Sequence, residues 1–270
     1  MSVICDYHMH TPLCKHAVGE PIEYVKRAYE KGLKIIGFSD HCPAPNNFDT
    51  ECRMNLFQIE QYLGMIDNVK SNPYGIEVLC GMEIDYVPGR MHEVDLLINS
   101  YDFDYIIGSI HYVDDYAFDN PDFIYRWNTP EKIDYVWNKY ADLLKEMVTS
   151  TKLDIIGHID LPKKFEMFPR NIDFFRSKLS EVIRIASERN ILIEINTAGK
   201  RKVVKEFYPS LDIMKLIRIN GGNITFGSDS HNPNEVASDF DVAASLAINA
   251  GFENYTVIEK SGKRYKAQLS

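Results

Sequence analysis

Seven of the eight histidines in this 270-residue chain fall in short polar clusters: DYHMH at 6–10 with His16 close behind, SDH at 39–41, SIH at 109–111, GH at 157–158 and SDSH at 228–231. Imidazole mixed with carboxylate suits Zn, Mn or Fe better than Mg or Ca. His8, His10, His16, His41, His111, His158 and His231, joined by Glu83 and Asp229, therefore offer more ligands than one ion needs. His8 and His10 lie two apart, so on a strand both side chains share one face. Asp229 and His231 repeat that spacing. Glu83 closes the apolar run IEVLCGM, and a carboxylate buried at a strand end is costly without a cation or another partner. Each histidine alone could be an ordinary structural residue, and Glu83 half of an ordinary salt bridge. Their joint occurrence at the ends of successive apolar runs points instead to a metal cage. Asp6 and Asp40, each close to a ligand histidine, are expected to orient imidazole rings from behind. His92, in PGRMHE, lacks that context and belongs to surface or loop.

Elements able to place these groups recur along the chain. Seven apolar runs, at 3–5, 35–38, 76–82, 105–110, 153–156, 191–195 and 224–226, read as buried parallel strands. Helical patterns separate them. Residues 21–31 open on a proline and stop at Gly32. Residues 131–147 set Ile133, Val136, Trp137, Tyr140, Leu144 and Met147 on one stripe, and 172–188 and 233–249 behave similarly. Seven alternations with polar chemistry at strand ends predict an α/β protein, a single domain over 1–270 whose active site lies at the carboxyl-terminal ends of a barrel's strands. An open doubly wound sheet is the alternative and also binds ligands at strand ends.

Charge and composition narrow the partners. Thirty Lys and Arg against 39 Asp and Glu give a net charge of −9, which leaves no basic stripe for a phosphate backbone and argues against nucleic acid. No stretch approaches the roughly 18 apolar residues of a membrane span, and the amino terminus lacks a basic leader, so we expect a cytoplasmic protein without membrane contact. Five cysteines, an odd number without paired C-x-x-C spacing, are expected to be free thiols.

The motifs D-Y-H-M-H with downstream His16, F-S-D-H (38–41), G-M-E-I-D (81–85), G-S-I-H-Y (108–112), G-H-I-D (157–160) and G-S-D-S-H (227–231) resemble those of the polymerase and histidinol phosphatase (PHP) family of metal-dependent phosphoesterases. Two longer segments, DDYAFDN (114–120) and EINTAGKRKVVKEFYPS (194–210), resemble its monofunctional histidinol-phosphatases, with Lys200 departing from an apolar position. The resemblance implies a distorted (β/α)7 TIM-like barrel holding three divalent transition-metal ions. One would sit on His8, His10, Glu83 and Asp229, a second on Glu83, His111 and His158, and a third on His16, His41 and His231. The implied reaction is hydrolysis of a small phosphate monoester, L-histidinol phosphate, through a metal-bridging hydroxide. Asp229 or His231 would protonate the leaving group. Arg201 is expected to grip the phosphate as a guanidinium fork, helped by Lys163 or Lys164. Asp114, Asp115 and Asp119 would form an acidic rim for a cationic alcohol. A family nuclease, a phosphoesterase for another small ester or a nucleic-acid end, an amidohydrolase and a non-catalytic metal-binding protein are the alternatives. An amidohydrolase usually bridges its metals with a strand-end lysine where Glu83 stands here.

Overall fold

The alternation of apolar runs and helical stripes resolves into seven parallel strands with helices between them. The computed structural model describes residues 3–44, 48–260 and 262–270. In chain order the elements are β1 (Cys5–Asp6), α1 (Pro21–Glu30), β2 (Ile35–Phe38), α2 (Ile59–Lys70), β3 (Glu77–Asp85), α3 (Met91–Ser100), β4 (Tyr105–Ser109), β5 (Tyr112–Val113), β6 (Tyr116–Ala117), α4 (Pro130–Ser150), β7 (Ile155–Ile156), α5 (Ile172–Glu188), β8 (Leu192–Asn196), α6 (Leu211–Ile219), β9 (Asn223–Gly227), α7 (Phe240–Asn249), β10 (Asn254–Ile258) and β11 (Arg264–Gln268). The main sheet runs β1-β2-β3-β4-β7-β8-β9, parallel throughout.

Its two outer strands meet. Tyr7 N donates to Phe226 O at 3.2 Å, His10 N to Ser230 O at 2.9 Å and Ser230 N to His8 O at 3.1 Å, so the sheet is a nearly closed barrel rather than an open doubly wound one. Closure also carries the first and last histidine clusters to one place. Interior space is filled by large side chains set against glycines. The Tyr105 phenol crosses the interior to donate to Tyr7 O at 2.6 Å. A Cβ on Gly37 would stand 2.1 Å from its hydroxyl, and one on Gly81 2.5 Å from its ring, so neither strand tolerates a side chain there. One apolar core runs from Val3 to Leu269. The α4 stripe enters it through Val136, Trp137, Tyr140, Leu144 and Met147, each worth roughly 1.5–3 kcal/mol of burial.

Helix α1 begins as its sequence suggests, with Pro21 in the first turn and a reciprocal cap between Glu20 and Glu23. The helix expected over 233–249 does not run through: a short 3-10 turn at Pro233–Glu235 precedes α7, because Ala237 and Asp239 take φ of +51° and +59°. Two hairpins escaped the strand pattern. The β5–β6 pair leaves the strand-end rim after β4, and β10–β11 covers the opposite end, where Tyr7 Oη pairs with Ile258 O at 2.8 Å and Lys260 N with Glu77 at 2.7 Å. No helix among the described residues is long and apolar enough to cross a membrane.

Candidate metal centre

Parallel pairing with a constant register puts every strand end on the same side, and the histidine clusters meet there around one carboxylate. Glu83, 1% exposed at the end of β3, has Oε1 3.2 Å from His158 Nε2 and 3.9 Å from His111 Nε2. Its Oε2 lies 3.4 Å from His8 Nε2, 3.7 Å from His10 Nε2 and 2.9 Å from His41 Nδ1. Asp229 Oδ1 stands 3.3 Å from His10 Nε2 and 3.9 Å from His8 Nε2. Two compact donor groups result, His8 with His10 and Asp229, and Glu83 with His111 and His158, the donor atoms of each within 4.8 Å of one another.

The outer histidines assemble less regularly. His16 and His231 stack at 4.5 Å between ring centroids, with His41 at 5.4 Å from His16 and 6.1 Å from His231. Donor atoms come within 4.8 Å in two overlapping groups, His10 with His41 and His231, and Cys14 with His16 and His231. Cys14 was not among the expected ligands. Its signal in the sequence was its place between His10 and His16.

A metal fits these residues. His8 Nε2, His10 Nε2 and His231 Nε2 are buried with no hydrogen-bond partner, although native proteins rarely leave such atoms unpaired, and His41 Nδ1 and Glu83 Oε2 have only each other, at 2.9 Å. They converge from several strand ends on one space, as donors to cations do. The site's own charges separate its imidazoles. Burial alone would hold His8 neutral, but Glu194, Glu83 and Asp229 push its pKa well above the usual value. His10 rises to about 9 against burial through Asp229 and Asp40, and His111 to about 10 through Asp85. His41 falls to about 4, and His231 well below its usual value, through burial and the nearby charge of His10. Glu83 and Asp229 remain ionised despite burial, because His8 and neighbouring imidazoles hold both well below the carboxylate range.

Behind the donors stands a layer of carboxylates. Glu194 Oε1 sits 2.7 Å from His8 Nδ1, Asp85 Oδ1 2.7 Å from His111 Nδ1 and Asp40 Oδ1 3.4 Å from His10 Nδ1. Each fixes a ring nitrogen and turns the other inward. Asp40 was expected in this role. Glu194 and Asp85 were missed, although both occupy strand-end positions, Asp85 two residues after Glu83 on the same face. Asp6 corrects the expectation made for it: its carboxylate accepts from Ser228 N at 2.8 Å, Ser228 Oγ at 2.5 Å and Ala237 N at 3.0 Å, and touches no imidazole ring. Buried with four donors, the fourth being His8 N at 3.4 Å, it ties β1 to the loop after β9. Arg53 supports Asp85 in turn, donating from Nη2 to Asp85 Oδ2 at 2.8 Å and Tyr112 Oη at 3.1 Å.

A cavity of about 600 Å³ opens over the donors. Its wall includes Asp49, Asp115, Asp119 and Glu235, and its basic side chains among the described residues are Arg53, Lys164 and Lys202. Lys164 binds Asp119 at 3.0 Å, which lowers the pKa of that carboxyl against burial. Lys163 corrects the phosphate expectation. It is 1% exposed and spent on Asp160 at 2.8 Å and Phe207 O at 2.6 Å, a packing role. Arg201, which is not one of the residues lining the cavity, donates from Nη2 to Ser228 O at 2.7 Å and Asp229 O at 3.1 Å, with Nε 3.3 Å from Glu235. Asp114 faces Tyr135 at 3.0 Å and is not part of the cavity wall. Lys200 packs over the Phe207 ring at 5.5 Å. His92 is exposed in the first turn of α3 and belongs to none of the donor groups. All five cysteines are free.

Barrel and donor set together define a metal-binding α/β barrel with its site at the strand ends. The chain belongs to the PHP family, whose domain model matches residues 6–198. It is 36% identical over 257 residues to a Deinococcus radiodurans protein named probable histidinol-phosphatase, covering 95% of this chain and 97% of that one. The histidinol-phosphatase of Bacillus subtilis is 25% identical over 253 residues, with 86% and 94% covered. The crystal structure of histidinol phosphate phosphatase from Lactococcus lactis, complexed with zinc, L-histidinol and phosphate, shares the fold at a TM-score of 0.76 and 22% identity, covering 97% of this chain and 98% of its own.

Proposed function

We propose that this chain, acting as one domain over 1–270, is a phosphoric monoester hydrolase that converts L-histidinol phosphate to L-histidinol and phosphate. The observation that carries the reading is the convergence of unpartnered imidazole nitrogens on Glu83, beneath a cavity walled by carboxylates. In the further detail of the proposal, three divalent transition-metal ions, Zn, Mn or Fe, are held by His8, His10, Glu83 and Asp229, by Glu83, His111 and His158, and by His16, His41 and His231. When bound, they supply Lewis acidity for attack by water on phosphorus and neutralise charge on the phosphoryl oxygens. Glu83 reaches both inner donor groups and sets their spacing. Asp229 and His231, with Oδ1 and Nδ1 3.5 Å apart, stand beside the cavity where the leaving alkoxide needs a proton.

The wall favours a cationic alcohol. Histidinol carries an ammonium and an imidazole, and Asp115 and Asp119, paired with Arg126 at 2.8 Å and Lys164 at 3.0 Å, line the cavity that would receive them. A polynucleotide end would meet the same carboxylates at a cost. Five free thiols suit a reducing compartment, and we place the protein in the cytoplasm. Metal analysis combined with a panel of phosphomonoesters and one diester tests the reading. Preferential turnover of histidinol phosphate by metal-loaded protein is expected, and preference for the diester or no turnover at all would overturn it.

A further inference from the structure

Tyr208 carries a hydroxyl the fold does not use. The residue is 1% exposed, its Oη is buried with no hydrogen-bond partner, and its side chain contributes to the cavity wall beside His158 and Asp229. Its ring stands edge-on to the His158 ring at 6.4 Å. The backbone is fixed, since Tyr208 N donates to Asn196 O at 2.9 Å and Asn196 N to Tyr208 O at 2.6 Å, which ties the segment to the end of β8. The Lys163 ammonium lies 5.5 Å from the ring centroid, itself held by Asp160 and the Phe207 carbonyl. A buried hydroxyl without a partner is disfavoured unless it serves a ligand.

Resting on the phosphatase reading above, we propose that the Tyr208 hydroxyl is a substrate-binding group that donates a hydrogen bond to a non-bridging phosphoryl oxygen. Burial pushes the phenol far above its ordinary pKa, so it stays protonated and can only donate to an anion. Tyr208 borders His158, which closes on Glu83 at 3.2 Å, and Asp119, the wall carboxylate near both rings, is already held by Lys164 at 3.0 Å. The Lys163 ammonium, held by Asp160 at 2.8 Å and Glu206 at 3.2 Å, packs against the ring.

The test is Tyr208→Phe in the full-length, metal-loaded protein, with inorganic phosphate and L-histidinol as separate calorimetric probes. A hydrogen bond to a charged acceptor predicts a roughly 10- to 100-fold weaker phosphate affinity, with histidinol affinity and metal content unchanged. Because the hydroxyl has no protein partner, the melting temperature should hold or rise. Unchanged phosphate affinity, a loss confined to histidinol, or a fall in metal content or melting temperature would each overturn the proposal. Should the wild type hydrolyse some other phosphomonoester in place of histidinol phosphate, the substrate assignment fails, while the phosphate measurement still decides the role of Tyr208.

Discussion

Glu194 and His8 are joined across the barrel by a 2.7 Å contact between Oε1 and Nδ1, while Oε2 of the same carboxylate accepts from His158 N at 3.0 Å. One side chain from β8 thus braces donors from two different groups. Its reach depends on Gly227 in the next strand, where a Cβ would stand 1.9 Å from Glu194 Oε1 and 2.7 Å from His8 Cβ. The G of the GSDSH motif is therefore a space requirement for the carboxylate behind the site, in addition to any turn it makes.

Replacing this carboxylate isolates its contribution. In Glu194→Gln the His158 amide keeps an acceptor, but His8 loses the charge that fixes its ring and raises its basicity. Metal affinity should fall roughly 10- to 100-fold with the fold intact. Equilibrium competition against a chelator measures it, and wild-type affinity would remove Glu194 from the site.

Glu83 should be less tolerant still. Glu83→Gln removes charge from both inner donor groups at once and leaves five imidazoles facing an amide. Metal content should drop, and activity should fall beyond the roughly 10- to 100-fold that losing an outer support costs. His92→Ala is the control, because that exposed side chain on α3 should leave metal stoichiometry as it was. Full occupancy with near-normal turnover in Glu83→Gln would refute the bridge.

What the sequence could and could not show follows from where each signal lives. Strand ends were legible because apolar runs of buried parallel strands stop abruptly at His8, Glu83, His111 and His158, and barrel closure makes those stops neighbours. Glu194 and Asp85 were hidden because a carboxylate on an inward face looks the same whether it meets a metal, a lysine or an imidazole. Lys163 and Arg201 were expected at the phosphate for a related reason. Both sit beside site motifs, but adjacency along the chain does not tell whether a long side chain turns into the cavity or back onto the protein. In the structure Lys163 turns toward Asp160 and Arg201 toward the carbonyls of 228 and 229. The broken helix before α7 escaped because positive φ at Ala237 and Asp239 leaves the apolar periodicity intact.

Metal uptake should be coupled to protons in a predictable direction. His10 and His111, raised to about 9 and about 10, are protonated at pH 7 when only the protein's charges act on them. A histidine must be neutral to ligate, so each releases a proton on binding, and apparent affinity should climb with pH until it passes those values. Titrating metal into chelator-treated protein at pH 7, in two buffers of different ionisation enthalpy, reads the release directly. Identical heats in both buffers would contradict the assignment of either residue as a ligand.

Arg201 offers the sharpest contrast between the two expectations. A guanidinium bound to phosphate would let Arg201→Ala keep its metals and lose only substrate affinity. The structure instead has Nη2 holding the carbonyls of Ser228 and Asp229, and Asp229 takes a left-handed φ of +52°, a conformation that costs a non-glycine residue about 1–3 kcal/mol and needs support. Removing the clamp should let Asp229 relax, loosening the ion proposed between His8, His10 and Asp229 and lowering kcat more than it raises KM. Arg201→Lys should restore little, since an ammonium cannot span both carbonyls as the fork does. Metal analysis beside steady-state kinetics on histidinol phosphate separates the cases. Full metal content with a purely KM-based loss would return Arg201 to the phosphate, through the Nη1 that the protein leaves unpartnered.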